Sequence, residues 1–309
     1  MSGAGGPVIR EGIKRQEARC QKSDVASERE KVFGLRFETL DSKLKRMKRH
    51  LLLFINYFAQ YAKVRMAYKA DFFIAIGTSF TATLLGFGFV LVLFSKIPSL
   101  KGWSFYELLF LYGFSLVPLG LFNVLSLNLY QFGEVYIIQG KFDRILLRPI
   151  HSLFQVLFEA FRLESMQETL TGILVIAYCS RRLHLEWRLE DVALGLGLVF
   201  CGLVIYISTF LLLTTVSFFF EDKVGVVPPV YNMLAFGRYP LSIYNVFIQF
   251  FLSWIIPFAF ASFYPTVRLL RRSEYGNFFY FVPVVAVVFF GLALMMWRAG
   301  ERNYSSTGT

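Results

Sequence analysis

The chain alternates between long uncharged runs and short polar stretches from residue 72 onward. Five runs lack Asp, Glu, Lys and Arg, at residues 72–95, 108–129, 192–220, 239–267 and 275–297. An α-helix rises about 1.5 Å per residue, so about 20 residues cross a hydrocarbon core of about 30 Å. Backbone amides in lipid must form hydrogen bonds within their own segment. The pattern therefore predicts five transmembrane helices. Within the last two uncharged runs, the membrane spans themselves are predicted at 245–267 and 277–297.

The sequence signal for a sixth crossing is weaker, because its uncharged core at residues 169–180 is too short to span the membrane alone. The span must extend back through Glu168 and Glu164 to about residue 163. Its polar start fits a first turn at the headgroup level or in a protein-lined vestibule. A re-entrant segment is the alternative, but a crossing at 163–180 preserves the alternation of sides. The predicted fold class is an all-α integral membrane protein, with a six-helix transmembrane domain at 72–298.

The residues before the first span fall into two parts. Residues 1–42 mix charges of both signs without an apolar core, which predicts a weakly ordered cytoplasmic tail and no secretory signal. Residues 43–71 repeat apolar side chains every three or four positions between basic ones, which predicts an amphipathic helix on the membrane surface. Its basic side chains would attract anionic lipid headgroups. A plain basic anchor that sets the topology explains the same pattern equally well.

The orientation follows from basic residues near the first span. The short loops carry as many Lys and Arg residues on one side as on the other, with Arg238 counted in the loop after the fourth span. The basic residues of the segment at 43–71 break that tie, because cytoplasmic flanks are enriched in Lys and Arg. Both termini are therefore predicted to be cytoplasmic, including a short tail at residues 299–309.

A polar but aromatic-rich stretch separates the second and third predicted spans, at residues 130–158. At its centre stand Gly140, Lys141, Phe142, Asp143, Arg144, Ile145, Leu146, Leu147, Arg148 and Pro149. The glycine breaks one short helix, and the next helix ends before the proline. Charged residues alternate with large apolar ones. This arrangement suits a short helix that docks in a groove of another protein.

A second unusual stretch, residues 221–245, precedes the fifth span. Two adjacent prolines there rule out a continuous helix, and Arg238, Tyr239 and Pro240 then lead into the span. A buried structural corner and a functional contact both explain this stretch. Pro257 lies inside the span and predicts a kink, because proline removes one backbone hydrogen bond of a helix.

Composition narrows the possible functions. Of 309 residues, 56% are apolar and only 17% are charged. The sequence holds no G-x-x-x-x-G-K-[ST] phosphate loop, no H-E-x-x-H and no G-x-S-x-G. The predicted spans carry no charge apart from Glu164 and Glu168, which disfavours ion-coupled transport. A transporter of this kind needs its energy from another protein.

Three short pieces resemble the ABC-2 type permeases, in their bacterial branch of six-span subunits. They are residues 140–149 with 153–155 behind them, residues 238–244, and residues 256–260 followed by Tyr264 and Pro265. The likeness covers about residues 52–300 and leaves the N-terminal tail as an extension. His151 and Ser152 depart from the family pattern after the Arg-Pro pair, which affects only the local loop shape.

The resemblance implies an ATPase-coupling segment at residues 140–149. It implies a transporter of two permease and two ABC ATPase subunits, in which the second permease is identical or related. ATP and Mg would bind to the ATPase, so this chain would be no enzyme and would hold no cofactor. The implied function is export of an amphiphilic or lipophilic substrate across the plasma (inner) membrane. Membrane lipids are expected partners, and nucleic acid is not.

In the expected mechanism, ATP binding closes the ATPase dimer, shifts the segment from Phe142 to Leu147 and tilts the first, second and fifth spans. Reversing the charge of Arg144 or shortening Phe142 should then uncouple transport from hydrolysis. A non-transporting scaffold or assembly factor explains the same hydropathy, but it would not stimulate an associated ATPase. A membrane-embedded enzyme fits less well, because no paired carboxylates, metal ligands or nucleophile and base share one depth.

Overall fold

The computed structural model describes residues 69–220, 225–275 and 277–305, with a few single positions between residues 52 and 63. The chain divides into two units, Met1–Asn56 and Tyr57–Thr309, and the features below belong to the second. The predicted tail at 1–42 and most of the predicted amphipathic helix at 43–71 lie outside the described residues. Both therefore stay predictions.

The described part of the chain is helical, apart from turns and one isolated bridge between Leu100 and Trp103. Its α-helices are α1 Lys69–Lys96, α2 Phe105–Tyr130, α3 Lys141–Leu146, α4 Ser152–Phe158, α5 Met166–Arg182, α6 Leu189–Thr215, α7 Ser217–Phe220, α8 Val227–Asn232, α9 Val246–Phe250, α10 Phe258–Ala261, α11 Phe263–Leu269 and α12 Phe281–Asn303. Shorter π-helical and 3₁₀ turns join several of them, at Phe132–Ile138, Leu163–Ser165, Met233–Arg238, Leu241–Ile243, Phe251–Ile255 and Phe278–Tyr280.

Four helical stretches are long and apolar enough to cross a membrane, at Lys69–Lys96, Phe105–Leu125, Leu189–Phe220 and Phe278–Asn303. They coincide with the first, second, fourth and sixth predicted spans, so an all-α, multi-pass membrane protein is confirmed. The last helix extends beyond the predicted span to Asn303. Residues 299–303, which were expected in a tail, are therefore helical.

The fifth predicted span is broken. Val246–Ile255 and Phe258–Leu269 are bent by 70° where they meet, and Pro257 lies at the break. Proline has no N–H to donate, and its ring clashes with the preceding helical turn. The pair is one bent span or a re-entrant loop. The described residues thus contain four membrane-crossing helices, or five with the bent pair.

The third predicted span is short. α5 has 17 residues, and only a 3₁₀ turn at Leu163–Ser165 precedes it. A complete crossing takes about 20 residues. The count of six spans therefore stays a prediction.

α2 is the central helix of the bundle. In its apolar stretch 78% of the residues are buried, against 11% in that of α1. α5 and α6 both pack directly on α2, and α12 packs on α6. α1 has far fewer neighbours, so most of its side chains face outward. This difference makes the few contacts of α1 important for its position.

The contacts distinguish two ends of the bundle. We call the end that carries α3 and α4 the proximal end, and the opposite end the distal end. At the distal end Arg272 Nη1 donates to Glu107 Oε1 at 2.9 Å. At the proximal end the rings of Phe218 and Trp297 lie 5.2 Å apart. The chain therefore returns from the proximal to the distal end between α7 and Arg272, by way of the short helices.

Glycines allow α2 and α5 to approach closely. A Cβ atom at Gly172 would lie 2.6 Å from the carbonyl oxygen of Gly113, and one at Gly113 would lie 2.8 Å from Val175 Cγ1. Small residues at such crossings let two backbones come into contact within a membrane. The two glycines thus fix the closest packing of the central helix.

We expect Gly172→Ala to lower the melting temperature of the purified protein in detergent. The new methyl group would overlap a backbone oxygen, which cannot move aside as a flexible side chain can. Gly197→Ala in α6 is the matched control, because no heavy atom lies within 4 Å of its Cβ position. Alanine favours a helix over glycine by about 0.5–1 kcal/mol, so the control should melt no lower than the parent. Equal melting temperatures of the two variants would contradict the close approach of α2 and α5.

Candidate functional site

The residues expected to couple to a partner form a short helix with defined ends. We call residues 140–149 the docking segment. Gly140 has φ 68°, a left-handed conformation that glycine adopts without steric cost, and it starts α3 at Lys141. α3 ends at Leu146, shortly before Pro149. The sequence thus confines the helix to two turns at the proximal end.

The docking segment has a buried face and an exposed face. Phe142 and Ile145 are almost completely buried. Arg144, Arg148 and Leu147 point away from the protein, and 85% of the Leu147 side chain is exposed. A partner can therefore touch the arginines and the leucine but not Phe142. The structure assigns Phe142 to holding the segment rather than to contacting a partner.

An aromatic cluster surrounds Phe142. Its ring meets those of Phe132, Phe218, Trp297 and Tyr304 edge to face, at centroid distances between 5.0 and 6.1 Å. Aromatic pairs in this geometry contribute about 0.5–1.5 kcal/mol each beyond their burial. The four partners come from the turn after α2, from α7, from α12 and from the residue after α12. The cluster therefore joins the docking segment to three membrane helices.

Two hydrogen bonds tie the same region to the end of α12. Trp297 Nε1 donates to Ser152 Oγ at 3.1 Å, and the Tyr304 hydroxyl donates to Asp143 Oδ1 at 3.0 Å. Burial, reinforced by the hydrogen bond to Asp143, raises the pKa of Tyr304 to about 12. Tyr304 consequently stays protonated and remains a donor at neutral pH.

The glycine at position 300 gives α7 its place beside α12. A Cβ atom there would overlap Phe218 Cδ2. The ring of Phe218 therefore occupies the space that a side chain at Gly300 would need.

Further bonds hold the rest of the loop together. Gln155 Nε2 donates to the carbonyl oxygens of Ile145 at 3.2 Å and Ile150 at 2.8 Å. Glu159 accepts a hydrogen bond from the Tyr136 hydroxyl at 2.7 Å and pairs with Lys141 Nζ at 3.4 Å. Burial and the neighbouring Glu159 carboxylate raise the pKa of Tyr136 far above its usual range. The loop is thus braced on both sides of the docking segment.

A polar network lies deeper in the bundle, around Glu168. Its carboxylate accepts hydrogen bonds from Asn123 Nδ2 at 2.8 Å and from Ser79 Oγ at 3.2 Å. Gln167 Nε2 donates to the same serine oxygen at 2.8 Å, and the Tyr231 hydroxyl donates to Asn123 Oδ1 at 2.9 Å. Ser79 lies about 15 Å along α1 from its proximal end. The network therefore joins α1, α2, α5 and α8 within the membrane-spanning part.

Arg238 lies inside the bundle and not in a loop. Its Nη1 donates to the Tyr112 hydroxyl at 3.1 Å, and the guanidinium lies 5.4 Å from the centre of that ring. Tyr112 belongs to the distal half of α2. This placement corrects the loop count of basic residues and adds a cation to the interior. A charge at such a depth is costly and marks a candidate functional position.

The neighbours of Arg238 have separate positions. The Tyr239 ring lies 6.1 Å from that of Phe89 on α1, and Pro240 is buried. Pro257 lies at the bend between α9 and α10. The structure therefore does not bring Arg238, Tyr239, Pro240 or Pro257 to the docking segment. The docking segment and the predicted residues around the fifth span lie at separate places in the bundle.

Sequence reasoning missed the residues that complete each site. Trp297 and Tyr304 are more than 140 residues from the docking segment, and nothing local links them to it. Asn123 could have been recognised in the sequence as a member of a polar contact, since a buried amide in an apolar helix needs a hydrogen-bond partner. Its partners still could not be read from the sequence.

Residues 80–308 match the model of a protein family described as ABC-2 family transporter protein. The match covers well over half of the chain. The chain belongs to this family. It is the membrane subunit of a transporter, and the resemblance to ABC-2 permeases seen in the sequence is confirmed. ABC-2 permeases work with an ABC ATPase subunit. No curated protein and no solved structure matches the chain.

We expect Phe142→Ala to destabilise this ABC-2 permease by about 3–5 kcal/mol, the usual cost of emptying a buried aromatic site. Leu147→Ala in the same helix should change stability by at most about 0.5 kcal/mol, because that side chain is exposed. The free energy of unfolding in mixed detergent micelles measures both. A small loss for Phe142→Ala would contradict the aromatic cluster.

We expect Ser79→Ala to cost about 0.6–1.7 kcal/mol, the range for hydrogen bonds between membrane helices. Thr78→Ala is the matched control, because the Thr78 hydroxyl donates only to Ala75 O in its own helix. In a double-mutant cycle with Glu168→Ala, the losses should be less than additive, since one interaction is removed twice. Additive losses would show that Ser79 and Glu168 do not interact.

Proposed function

We propose that this chain is the permease of an ATP-driven exporter and moves an amphiphilic or lipophilic substrate out of the cytoplasm. A separate ABC ATPase, in two copies, would bind ATP and Mg and supply the energy. A second permease, identical or related, would complete the path. The observation that carries the proposal is the exposed face of the docking segment, held on an aromatic cluster that reaches three membrane helices.

The chemistry of that face suits a protein groove. Leu147 is an exposed apolar side chain between two basic residues, Arg144 and Arg148. A short helix can insert such a leucine into an apolar groove while the arginines pair with carboxylates at its rim. Interface residues of this kind, an apolar anchor with arginines beside it, often dominate binding energy.

The aromatic cluster offers a route for force from the partner. A push on α3 reaches Phe142 first, and that ring is in contact with α7 and α12. The docking segment also continues directly from α2 through the π-helical turn. These contacts favour movement of the second, fourth and sixth predicted spans. The sequence-based proposal named the first, second and fifth spans, and for the first and fifth the movement stays a prediction.

The same proposal sets the orientation. If the docking segment meets a cytoplasmic ATPase, the proximal end faces the cytoplasm in the inner membrane. α1 begins and α12 ends at the proximal end, so both termini would be cytoplasmic. The basic residues before the first span agree with that side.

The proposal is tested by reconstituting the permease with its co-purified ATPase in proteoliposomes. Arg144→Glu and Leu147→Asp should weaken the affinity for the ATPase by about tenfold or more, the loss expected when an interface anchor is removed. ATP-dependent uptake of a fluorescent lipophilic substrate into inside-out vesicles should fall with it. Arg302→Glu is the matched control, because Arg302 is another exposed arginine at the proximal end. It should transport like the parent.

Three outcomes would count against the proposal. Full coupled transport by both variants would place the coupling site elsewhere. An ATPase that binds the permease but is not stimulated by it, with no substrate moved, would favour a scaffold or assembly factor. Cargo movement without any ATPase would exclude the proposed energy source.

A further inference from the structure

A long groove lies between α5 and α6. These two helices follow each other in the chain and both pack on α2, but they make few contacts with each other. The space between them is a cavity of about 720 Å³. Phe114 and Val117 of α2 form its floor, and both are buried. The groove therefore results from two helices that contact the central one on different sides.

The walls of the groove are apolar and open toward the bilayer. They consist of Ile173, Ile176, Ala177, Val192, Gly195, Leu196 and Val199. Ile173 and Leu196 are at least half exposed, so the groove is accessible from the lipid side. From Ile173 to Arg181 the groove extends about 12 Å along α5. That length is close to half of a hydrocarbon core of about 30 Å, which is one leaflet.

The distal mouth of the groove is polar. Arg181, His184, Glu186 and Trp187 line it. α5 ends there with a bond from Leu185 N to Ser180 O at 3.0 Å, and His184 has φ 50°. This capping position usually holds glycine, because a side chain costs energy at positive φ. The turn places the imidazole at the mouth, one helical turn from Arg181.

The charges at the mouth favour an anion. Arg181 is exposed and forms no ion pair within the described residues. Glu186 is the acidic group among the lining residues. Asp191 pairs with Arg271 at 3.2 Å, and Arg271 also donates to the Glu186 carbonyl oxygen at 3.1 Å. Around the mouth, in the part of the chain that the structure describes, the unpaired cations Arg181, Arg182 and Arg188 outnumber the unpaired carboxylates Glu186 and Glu190 by three to two.

We propose that this groove binds one anionic glycerophospholipid of the distal leaflet. An acyl chain would lie on Phe114 and Val117, and the phosphate would accept hydrogen bonds from Arg181 and His184. The cavity has the volume of ordinary small-molecule sites, about 300–1,000 Å³. A lipid fits better than a protein helix, because the groove is one leaflet long and ends in a cationic mouth at the headgroup level. The site does not depend on the proposed transport function.

Trp187 provides a probe of the occupant, because it lines the mouth. Brominated acyl chains quench tryptophan fluorescence on contact. Trp254 is 48% exposed and would also report, whereas Trp103 and Trp297 are fully buried, so the experiment uses the full chain with Trp254→Phe. The protein is placed in phosphatidylcholine nanodiscs that contain a small fraction of brominated phosphatidylglycerol or, separately, brominated phosphatidylcholine.

The brominated anionic lipid should be enriched at Trp187 about fivefold over the brominated zwitterionic one, which is what one arginine at the headgroup level supplies. Arg181→Gln should abolish this preference. Arg182→Gln is the matched control and should keep it, because Arg182 lies over the Tyr178 ring and does not line the groove. Equal quenching by both lipids in the parent, or equal loss in both arginine variants, would overturn the proposal.

A second variant fills the groove and leaves its charges in place. Gly195→Phe puts a ring into the cavity, and the nearest atom to its Cβ position is Leu269 Cδ2 at 3.9 Å, so the backbone has room for it. The variant should lose the preference for the anionic lipid while its elution from size-exclusion chromatography stays unchanged. A folded Gly195→Phe protein that keeps the preference would show that the lipid binds at the surface and not in the groove.

Discussion

The packing of Phe142 is the interaction on which the proximal end depends. α3 has only six residues, and an isolated helix of that length does not persist in water. Its stability must come from tertiary contacts, and four ring contacts converge on the buried Phe142. Because the partners of that ring come from the turn after α2, from α7 and from α12, the same contact that keeps the segment folded also fixes its position relative to the membrane helices.

The bundle has a firmly packed centre and a loosely attached first helix. α2 is enclosed by α5 and α6 and meets α5 backbone to backbone at two glycines. Burying α1 against this centre adds little hydrophobic stabilisation, since lipid is as apolar as the protein surface. Polar contacts such as the one between Ser79 and Glu168 then have a large share in positioning α1. A carboxylate within the membrane is thus explained as a structural tether.

The sequence predicted the membrane helices well, because lipid imposes the same condition on every segment separately. A run of apolar residues that satisfies its own backbone can be recognised without knowing its neighbours. The path between α7 and Arg272 could not be predicted in the same way. Its short helices depend on contacts with α2, α6, α12 and one another, and this is why Arg238 looked like a loop residue although it lies beside Tyr112.

The docking segment shows the same limit on a smaller scale. Its boundaries follow from Gly140 and Pro149, which act locally, and they were predicted. Its buried face was not, because Phe142 is covered by rings from positions 218, 297 and 304. The alternation in the sequence identified a helix that carries both charged and large apolar side chains. Only the tertiary structure shows which of these side chains are exposed to a partner.

The contact between Phe218 and Gly300 limits how the last helix can move. The ring lies directly on the bare backbone, with no side chain between them. Rotation of α12 about its own axis would bring the side chain of Ala299 or Glu301 against the ring, which the tight packing resists. Tilting about this point leaves the glycine opposite the ring. A rearrangement that passes through this contact therefore costs less as a swing of α12 than as a twist.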